Sequence, residues 1–79
     1  MKIYDFNGCN NISGNKIREE RVKRGLNQKD LATQMQLRGV VINRDSISRI
    51  ESGRRFVTDY EIKILAEIFG VSTDYLLGE

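Results

Sequence analysis

The absence of proline from all 79 residues constrains the fold most, because no position is barred from a helix interior. Apolar residues recur at helical spacing in five segments, which are separated by polar residues and glycines. We predict helices at about 14–24, 28–38 and 44–52, a fourth between Thr58 and Gly70, and a short fifth after Ser72. The expected N-terminal caps are Ser13, Asn27, Asn43, Thr58 and Ser72, with Glu61 completing a capping box. The expected helix-ending glycines are Gly25, Gly39, Gly53 and Gly70.

The short joints between these segments turn the chain sharply, which predicts an all-α fold, a compact five-helix orthogonal bundle. We assign residues 13–79 to this single domain and residues 1–12 to a short N-terminal arm. The arm contains Ile3, Tyr4 and Phe6, which pack on the domain, form a short strand or fray.

The composition excludes most enzyme chemistry. The chain has no histidine, and Cys9 is its single cysteine, placed in a loop without a partner base. Glu19 and Glu20 are consecutive and point apart on a helix, which argues against paired-carboxylate catalysis. We therefore expect no enzyme, no cofactor and no metal site. The absence of a signal peptide pattern and of a long apolar run predicts a cytoplasmic protein without a membrane span.

The charges are distributed unevenly along the chain. Residues 1–37 carry seven lysines and arginines against four acids, and residues 38–55 carry five against two. Residues 56–79 carry one lysine against five acids. A basic front and an acidic tail suit a polyanion on one face, although a solvated surface has the same composition.

The third predicted helix has one apolar face and one polar face. Ile47 and Ile50 point inward with Glu51 beside them, whereas Arg44, Asp45, Ser48, Arg49 and Ser52 form the outer side. A helix of this size fits the major groove of DNA, and arginine binds the two acceptors of guanine in a bidentate manner.

Three blocks of this sequence resemble the lambda-repressor-like, Cro-repressor type of helix-turn-helix protein. The blocks are GLNQKDLA at 25–32, DSISRIESGRR at 45–55 and LAEIFGVSTDYLL at 65–77. The resemblance covers about residues 14–77 and implies a five-helix domain that binds double-stranded DNA, with the third helix reading bases.

The resemblance also implies roles for single residues. Arg44, Asp45 and Arg49 match base-reading positions. The positions that match contacts to the DNA backbone are Gln28, Asn43, Ser46, Ser48, Arg54 and Arg55. Ser48 alternatively reaches a base, and Asp45 alternatively caps its helix or orients Arg44 or Arg49. Arg21 and Glu51 match a buried ion pair, the alternative being two ordinary surface charges.

The joint between the second and third helices departs from the family pattern, because Leu31 and Ile47 are about five residues further apart than usual. The extra residues lengthen the second helix, enlarge the loop or do both, and they bring Arg38 within reach of a phosphate. Val40 and Val41 are too apolar for a wholly exposed loop, so we expect at least one of them to pack inward.

One short helix reads few bases, so we expect a homodimer on a palindromic operator, acting as a transcriptional repressor. Tyr75, Leu76 and Leu77 are the candidate dimer contacts, with burial inside the protomer as the alternative. The competing function is a helical protein-interaction module, such as an antitoxin or a partner of an anti-repressor.

Overall fold

The computed structural model describes residues 8–78, which form five α-helices. The helices are α1 (Gly14–Lys23), α2 (Gln28–Leu37), α3 (Arg44–Glu51), α4 (Asp59–Phe69) and α5 (Thr73–Leu76). The predicted all-α class and the five predicted helices are confirmed. The first three end one residue earlier than predicted, because Arg24, Arg38 and Ser52 are C-caps. None of the helices within residues 8–78 is long and apolar enough to cross a membrane. Ile3, Tyr4 and Phe6 of the predicted arm lie outside the described residues.

Four of the five predicted N-caps form the expected hydrogen bonds. Asn27 Oδ1 accepts from the Asp30 N–H at 2.7 Å, and Asn43 Oδ1 accepts from the Ser46 N–H at 2.9 Å. Thr58 caps α4 in a capping box with Glu61, and Ser72 caps α5. At the opposite end of α4, Gly70 has a φ of 67°, a left-handed conformation that is strained for residues with a Cβ atom.

The prediction that Ser13 caps α1 is wrong. The Ser13 backbone is already helical, with φ −99° and ψ −12°, and its side chain makes no capping hydrogen bond among the described residues. The Gly14 N–H donates instead to Asn11 Oδ1 at 2.9 Å. An N-cap side chain needs an extended backbone to reach back to the first turn, and Ser13 lacks that conformation.

A single hydrophobic core connects the five helices. Its fully buried side chains are Ile17, Leu31, Met35, Ile47, Ile50, Leu65 and Leu76. Helix α3 packs against α1 and α2, while α4 packs against α1, α2 and α5. The position of α3 is therefore set by two neighbouring helices.

The joint between α2 and α3 comprises residues 38–43 and is held at both ends. Val40 and Ile42 are buried, whereas Val41 between them is 98% exposed. The Gln36 side-chain amide donates to the Ile42 carbonyl at 2.6 Å. The prediction that at least one of the two valines packs inward is confirmed, and the buried one is Val40.

Candidate nucleic-acid interface

The outer face of α3 is largely exposed, with Ser48 partly buried within it. The side chains of Arg44 and Asp45 are 69% and 74% exposed, and Arg49 is exposed one turn further on. Arg44 Nη2 lies 4.0 Å from Asp45 Oδ1, and no other part of residues 8–78 forms an ion pair with either side chain. The cap of this helix is Asn43 and not Asp45. Two guanidinium groups are therefore displayed to solvent on one side of α3.

The inner face of α3 carries one charge, and that charge is neutralised. Arg21 donates to Glu51 in a bidentate manner, with Nε–Oε2 at 2.6 Å and Nη2–Oε1 at 2.9 Å. The side chains are only 11% and 3% exposed. The hydrogen bonds to Glu51 raise the pKa of Arg21 above its ordinary value. Arg21 and Glu51 thus form the predicted buried ion pair, which joins α1 to α3.

Gln28 joins the second helix to the same pair. Its side-chain amide donates to Glu51 Oε1 at 3.1 Å, while Arg21 Nη1 donates to the Leu26 carbonyl at 2.7 Å. These contacts connect the start of α2 with the inner side of α3. The orientation of the exposed face of α3 therefore depends on a network that spans three helices.

A shallow depression lies between the beginnings of α2 and α3. It is lined by Arg21, Asn27, Gln28, Lys29 and Arg44. The N-terminal end of a helix presents unpaired N–H groups and a positive dipole, which favour anions. Lys29 adds a cation here that our sequence reasoning missed. Its position in the first turn of α2, next to Gln28, could have indicated this from the sequence.

A second depression brings a residue of α1 next to the outer face of α3. Its lining consists of Arg18, Gln28, Ser48, Glu51 and Ser52. Arg18 is exposed, and it lies one helical turn before the buried Arg21. Sequence reasoning missed Arg18 because only the folded arrangement of α1 against α3 makes it a neighbour of Ser48.

The loop after α3 contains two consecutive arginines with different surroundings. Arg54 is exposed, and its Nε donates to Ser52 Oγ at 3.0 Å. Arg55 donates from Nη1 and Nη2 to the two carboxylate oxygens of Glu61 at 3.0 and 3.1 Å. Burial acts to raise the pKa of Glu61, but the hydrogen bonds from Arg55 and Thr58 hold it below its ordinary value. Arg55 is therefore partly buried and paired with Glu61, whereas Arg54 stays exposed, and the contact of either arginine with DNA stays a prediction.

Of three further predicted backbone contacts, Arg38 lies at the end of α2, whereas Asn43 and Ser46 lie at the start of α3. Arg38 is exposed, and its Nη1 donates to the Gln34 carbonyl and side chain, both at 3.0 Å. Asn43 is exposed, although its Oδ1 is occupied by capping, and Ser46 is partly buried. Their approach to DNA stays a prediction.

The residues proposed as dimer contacts separate into two groups. Leu76 is fully buried in the core, so its alternative assignment to the protomer interior is the correct one. Leu77 is 40% exposed, and Tyr75 is partly buried against α1, where its hydroxyl donates to Glu20 Oε2 at 3.0 Å. Leu76 could contact a second copy of the chain only if its own helix unfolded, because its side chain is fully buried.

Glu20 forms a buried charged cluster that sequence reasoning missed. Arg24 donates to its carboxylate at 2.5 Å, and Lys23 donates at 3.2 Å. The hydrogen bond from Arg24 is the main reason why the pKa of Glu20 falls from 4.5 to about 2. Arg24 also donates to the Phe69 carbonyl, and Tyr75 contacts Glu20 from α5. The cluster therefore ties α1 to the ends of α4 and α5.

The architecture and the exposed α3 face define a helix-turn-helix DNA-binding domain. Comparison with protein families matches residues 17–76 to a family described as helix-turn-helix. The chain belongs to this family, whose lambda-repressor-like, Cro-type pattern agrees with the three sequence blocks identified above. No curated protein matches the chain in sequence.

Proposed function

We propose that the chain is a sequence-specific transcriptional repressor that reads the major groove of double-stranded DNA with α3. The observation that carries this proposal is the contrast between the two faces of α3. Arg44 and Arg49 are exposed on the outer face, while Glu51 on the inner face is neutralised by Arg21. Bidentate contact of an arginine with guanine contributes about 1–3 kcal/mol of discrimination, so two such residues are a sufficient basis for base reading.

The surroundings of α3 support contacts to the DNA backbone. Lys29 stands at the beginning of α2, Arg18 lies beside Ser48, and Arg54 is exposed in the loop after α3. Phosphate contacts of this kind fix the orientation of a protein on the duplex without reading its sequence. We propose these three cations, together with Gln28, as the principal phosphate contacts, and Asn43, Ser46, Ser48 and Arg38 as further ones.

The proposed binding unit is a homodimer on a palindromic operator. Helix α3 has eight residues, and a single helix of this length contacts too few base pairs for a distinctive site. Two copies on half-sites one helical turn apart double the number of bases read. Leu77 is the remaining apolar candidate for the contact between protomers, with the partly buried Tyr75 at its edge. Occupation of the operator excludes competing proteins from the same groove, which is the basis for proposing repression.

The first experiment measures affinity for duplex DNA as a function of salt. The three principal cations of each protomer neutralise six phosphates in a dimer and give a slope of log affinity against log salt of about −5, and a contact by Arg38 makes the slope steeper. Lys63→Ala is a suitable control, because Lys63 is an exposed cation of α4 outside the proposed interface. Absence of duplex binding at every salt concentration would reject the proposal in favour of a protein-interaction module.

Selection of bound duplexes from a random pool tests the finer claims. We expect enrichment of a palindromic sequence with two half-sites whose centres are about 10 base pairs apart. Enrichment of a single asymmetric site would contradict the homodimer, and recovery of no preferred sequence would contradict base reading by α3.

A further inference from the structure

Asn10 and Asn11 are hydrogen-bonded to the loop that follows α3, although they precede the family match at 17–76. The Asn10 N–H donates to the Gly53 carbonyl at 2.7 Å, and the Asn10 side chain donates to the Arg54 carbonyl at 3.2 Å. Cys9 lies directly against Gly53, where an added Cβ atom would come within 2.9 Å of the sulfur. The segment thus contacts the backbone that carries Arg54.

Asn11 extends these contacts in three directions. Its side-chain amide donates to the Ile50 carbonyl at 2.9 Å and to the Arg55 carbonyl at 2.8 Å. Its side-chain oxygen accepts from the Gly14 N–H at 2.9 Å. A single side chain therefore joins the end of α3, the arginine loop and the beginning of α1.

Asn10 and Asn11 together bind the backbone of the loop after α3. The carbonyl groups of three consecutive residues, Gly53, Arg54 and Arg55, all accept hydrogen bonds from Asn10 or Asn11. The Arg54 N–H additionally donates to the Arg49 carbonyl at 2.8 Å. Because the N–H and the carbonyl group of Arg54 are both hydrogen-bonded, its backbone conformation is fixed. The direction in which the Arg54 side chain leaves the backbone is therefore restricted.

We propose that Asn11 is a positioning residue for DNA binding, which acts by holding Arg54 in the orientation that contacts a phosphate. The inference rests on the proposed function and adds residues 9–11 to the DNA-binding unit. Asn11 itself touches no DNA in this arrangement. A loop released from Asn11 no longer directs the Arg54 side chain at a phosphate, so this contact is lost from the complex, since re-forming it would require an ordering of the loop that opposes association.

The test compares Asn11→Ala and Arg54→Ala with the double variant in an anisotropy assay on selected and random duplexes. We expect Asn11→Ala to weaken both duplexes alike by about five- to tenfold, since phosphate contacts carry no sequence information. The magnitude of the salt slope should fall by about one for each protomer, as for Arg54→Ala. The double variant should bind within twofold of Arg54→Ala alone, because both changes remove the same contact.

Asn15→Ala is the matched control, since Asn15 is an exposed asparagine in the first turn of α1. It should leave affinity and salt slope unchanged. If Asn11→Ala does not fold, Asn10→Ala decides the question, because it removes only one exposed hydrogen bond to the Arg54 carbonyl. Asn10→Ala should weaken binding to both duplexes by about two- to threefold. Combined with Arg54→Ala, it should cause no further loss of affinity beyond that of Arg54→Ala alone.

The outcomes separate this inference from the proposed function. An Asn11→Ala protein that melts earlier but binds with unchanged affinity and slope would show a purely structural asparagine and overturn the inference. Full additivity with Arg54→Ala would overturn it as well. Failure of the unaltered protein to bind any duplex would instead reject the proposed function.

Discussion

Two groups of arginines in this domain differ in their surroundings. Arg21, Arg24 and Arg55 each donate to a buried glutamate, namely Glu51, Glu20 and Glu61 respectively. Arg44, Arg49 and Arg54 lie on the surface formed by α3 and the loop after it. The first group holds the helices together, and the second is available to a polyanion.

The difference shows that a buried carboxylate partner decides whether an arginine is neutralised within the protein or left exposed. An ionised carboxylate taken out of water without a partner is strongly unfavourable, so each buried glutamate requires a nearby cation. Glu20, Glu51 and Glu61 are 2%, 7% and 1% exposed. The exposed Asp45 makes no such demand, because water solvates it, and Arg44 stays largely free beside it. Substitutions in the first group should therefore change the free energy of unfolding, whereas substitutions in the second group should change DNA binding.

The largest effect is expected for Arg21→Ala. The substitution leaves Glu51 buried without its bidentate partner, which should lower the free energy of unfolding by about 3–5 kcal/mol. Urea unfolding measures this loss. Arg49→Ala is the matched control from the exposed group and should change stability by less than about 0.5 kcal/mol. Equal stability of the two variants would remove the distinction between the groups.

The next effect concerns Glu20 and depends on pH. The pKa of Glu20 is lowered from 4.5 to about 2, so the folded protein binds fewer protons than the unfolded chain between these values. The contribution of Glu20 to stability is fully present above pH 4.5 and is lost as the pH falls towards 2. Glu61, whose pKa is also lowered, acts in the same direction.

Glu20→Gln should destabilise the protein by about 1.5–3 kcal/mol at neutral pH, because it removes charge-assisted hydrogen bonds. It should also make the loss of stability between pH 4.5 and 2 shallower than in the unaltered protein. Unfolding curves at several pH values measure both effects. Glu67→Gln, at an exposed position of α4, is the control. An unchanged acid profile in Glu20→Gln would contradict the assignment.

Within the exposed group, Arg49→Ala should relax sequence preference. Loss of a bidentate guanine contact should reduce discrimination at one base pair of each half-site by about 1–3 kcal/mol. Binding to duplexes substituted at single positions measures it. Arg54→Ala is the comparison and should weaken all duplexes alike. Identical effects of the two substitutions would contradict the division between base reading and backbone contact.

The smallest effect is expected for Lys29→Ala. It removes one proposed phosphate contact on each protomer, so affinity should fall uniformly and the magnitude of the salt slope should decrease by about one for each protomer. Lys63→Ala serves as the control cation on α4. A change in sequence preference in Lys29→Ala would place Lys29 among the base-reading residues instead.

Local signals predicted the helices well because those signals act within a few residues. Asn27, Asn43 and Thr58 each cap the helix that the sequence assigns to them, and the helix limits agree within one residue. The same local reasoning failed at Ser13. The N–H of Gly14 is bonded by Asn11, and the backbone of Gly14 lies so close to the Ile50 carbonyl that an added Cβ atom would collide with it. That approach depends on a helix distant in sequence.

The exposed arginines of α3 follow from the alternation of its apolar and polar faces, which the sequence displays directly. The roles of Arg55 and Leu76 did not follow from it. Arg55 resembles Arg54 in sequence, and only the position of Glu61 distinguishes them. Leu76 resembles Leu77, and only the packing of α5 buries one of the two.

The chain alone determined its helical class, the limits of its helices and the polar outer face of α3, because helix formation and amphipathicity depend on neighbours within one or two turns. Tertiary structure decided which cations are neutralised and which stay exposed, and it brought Asn11 to Ile50 in α3 and to Arg55 in the loop, 39 and 44 positions away in sequence. The physical reason is that burial and ion pairing depend on distance in space, and that distance exists only once the helices have packed.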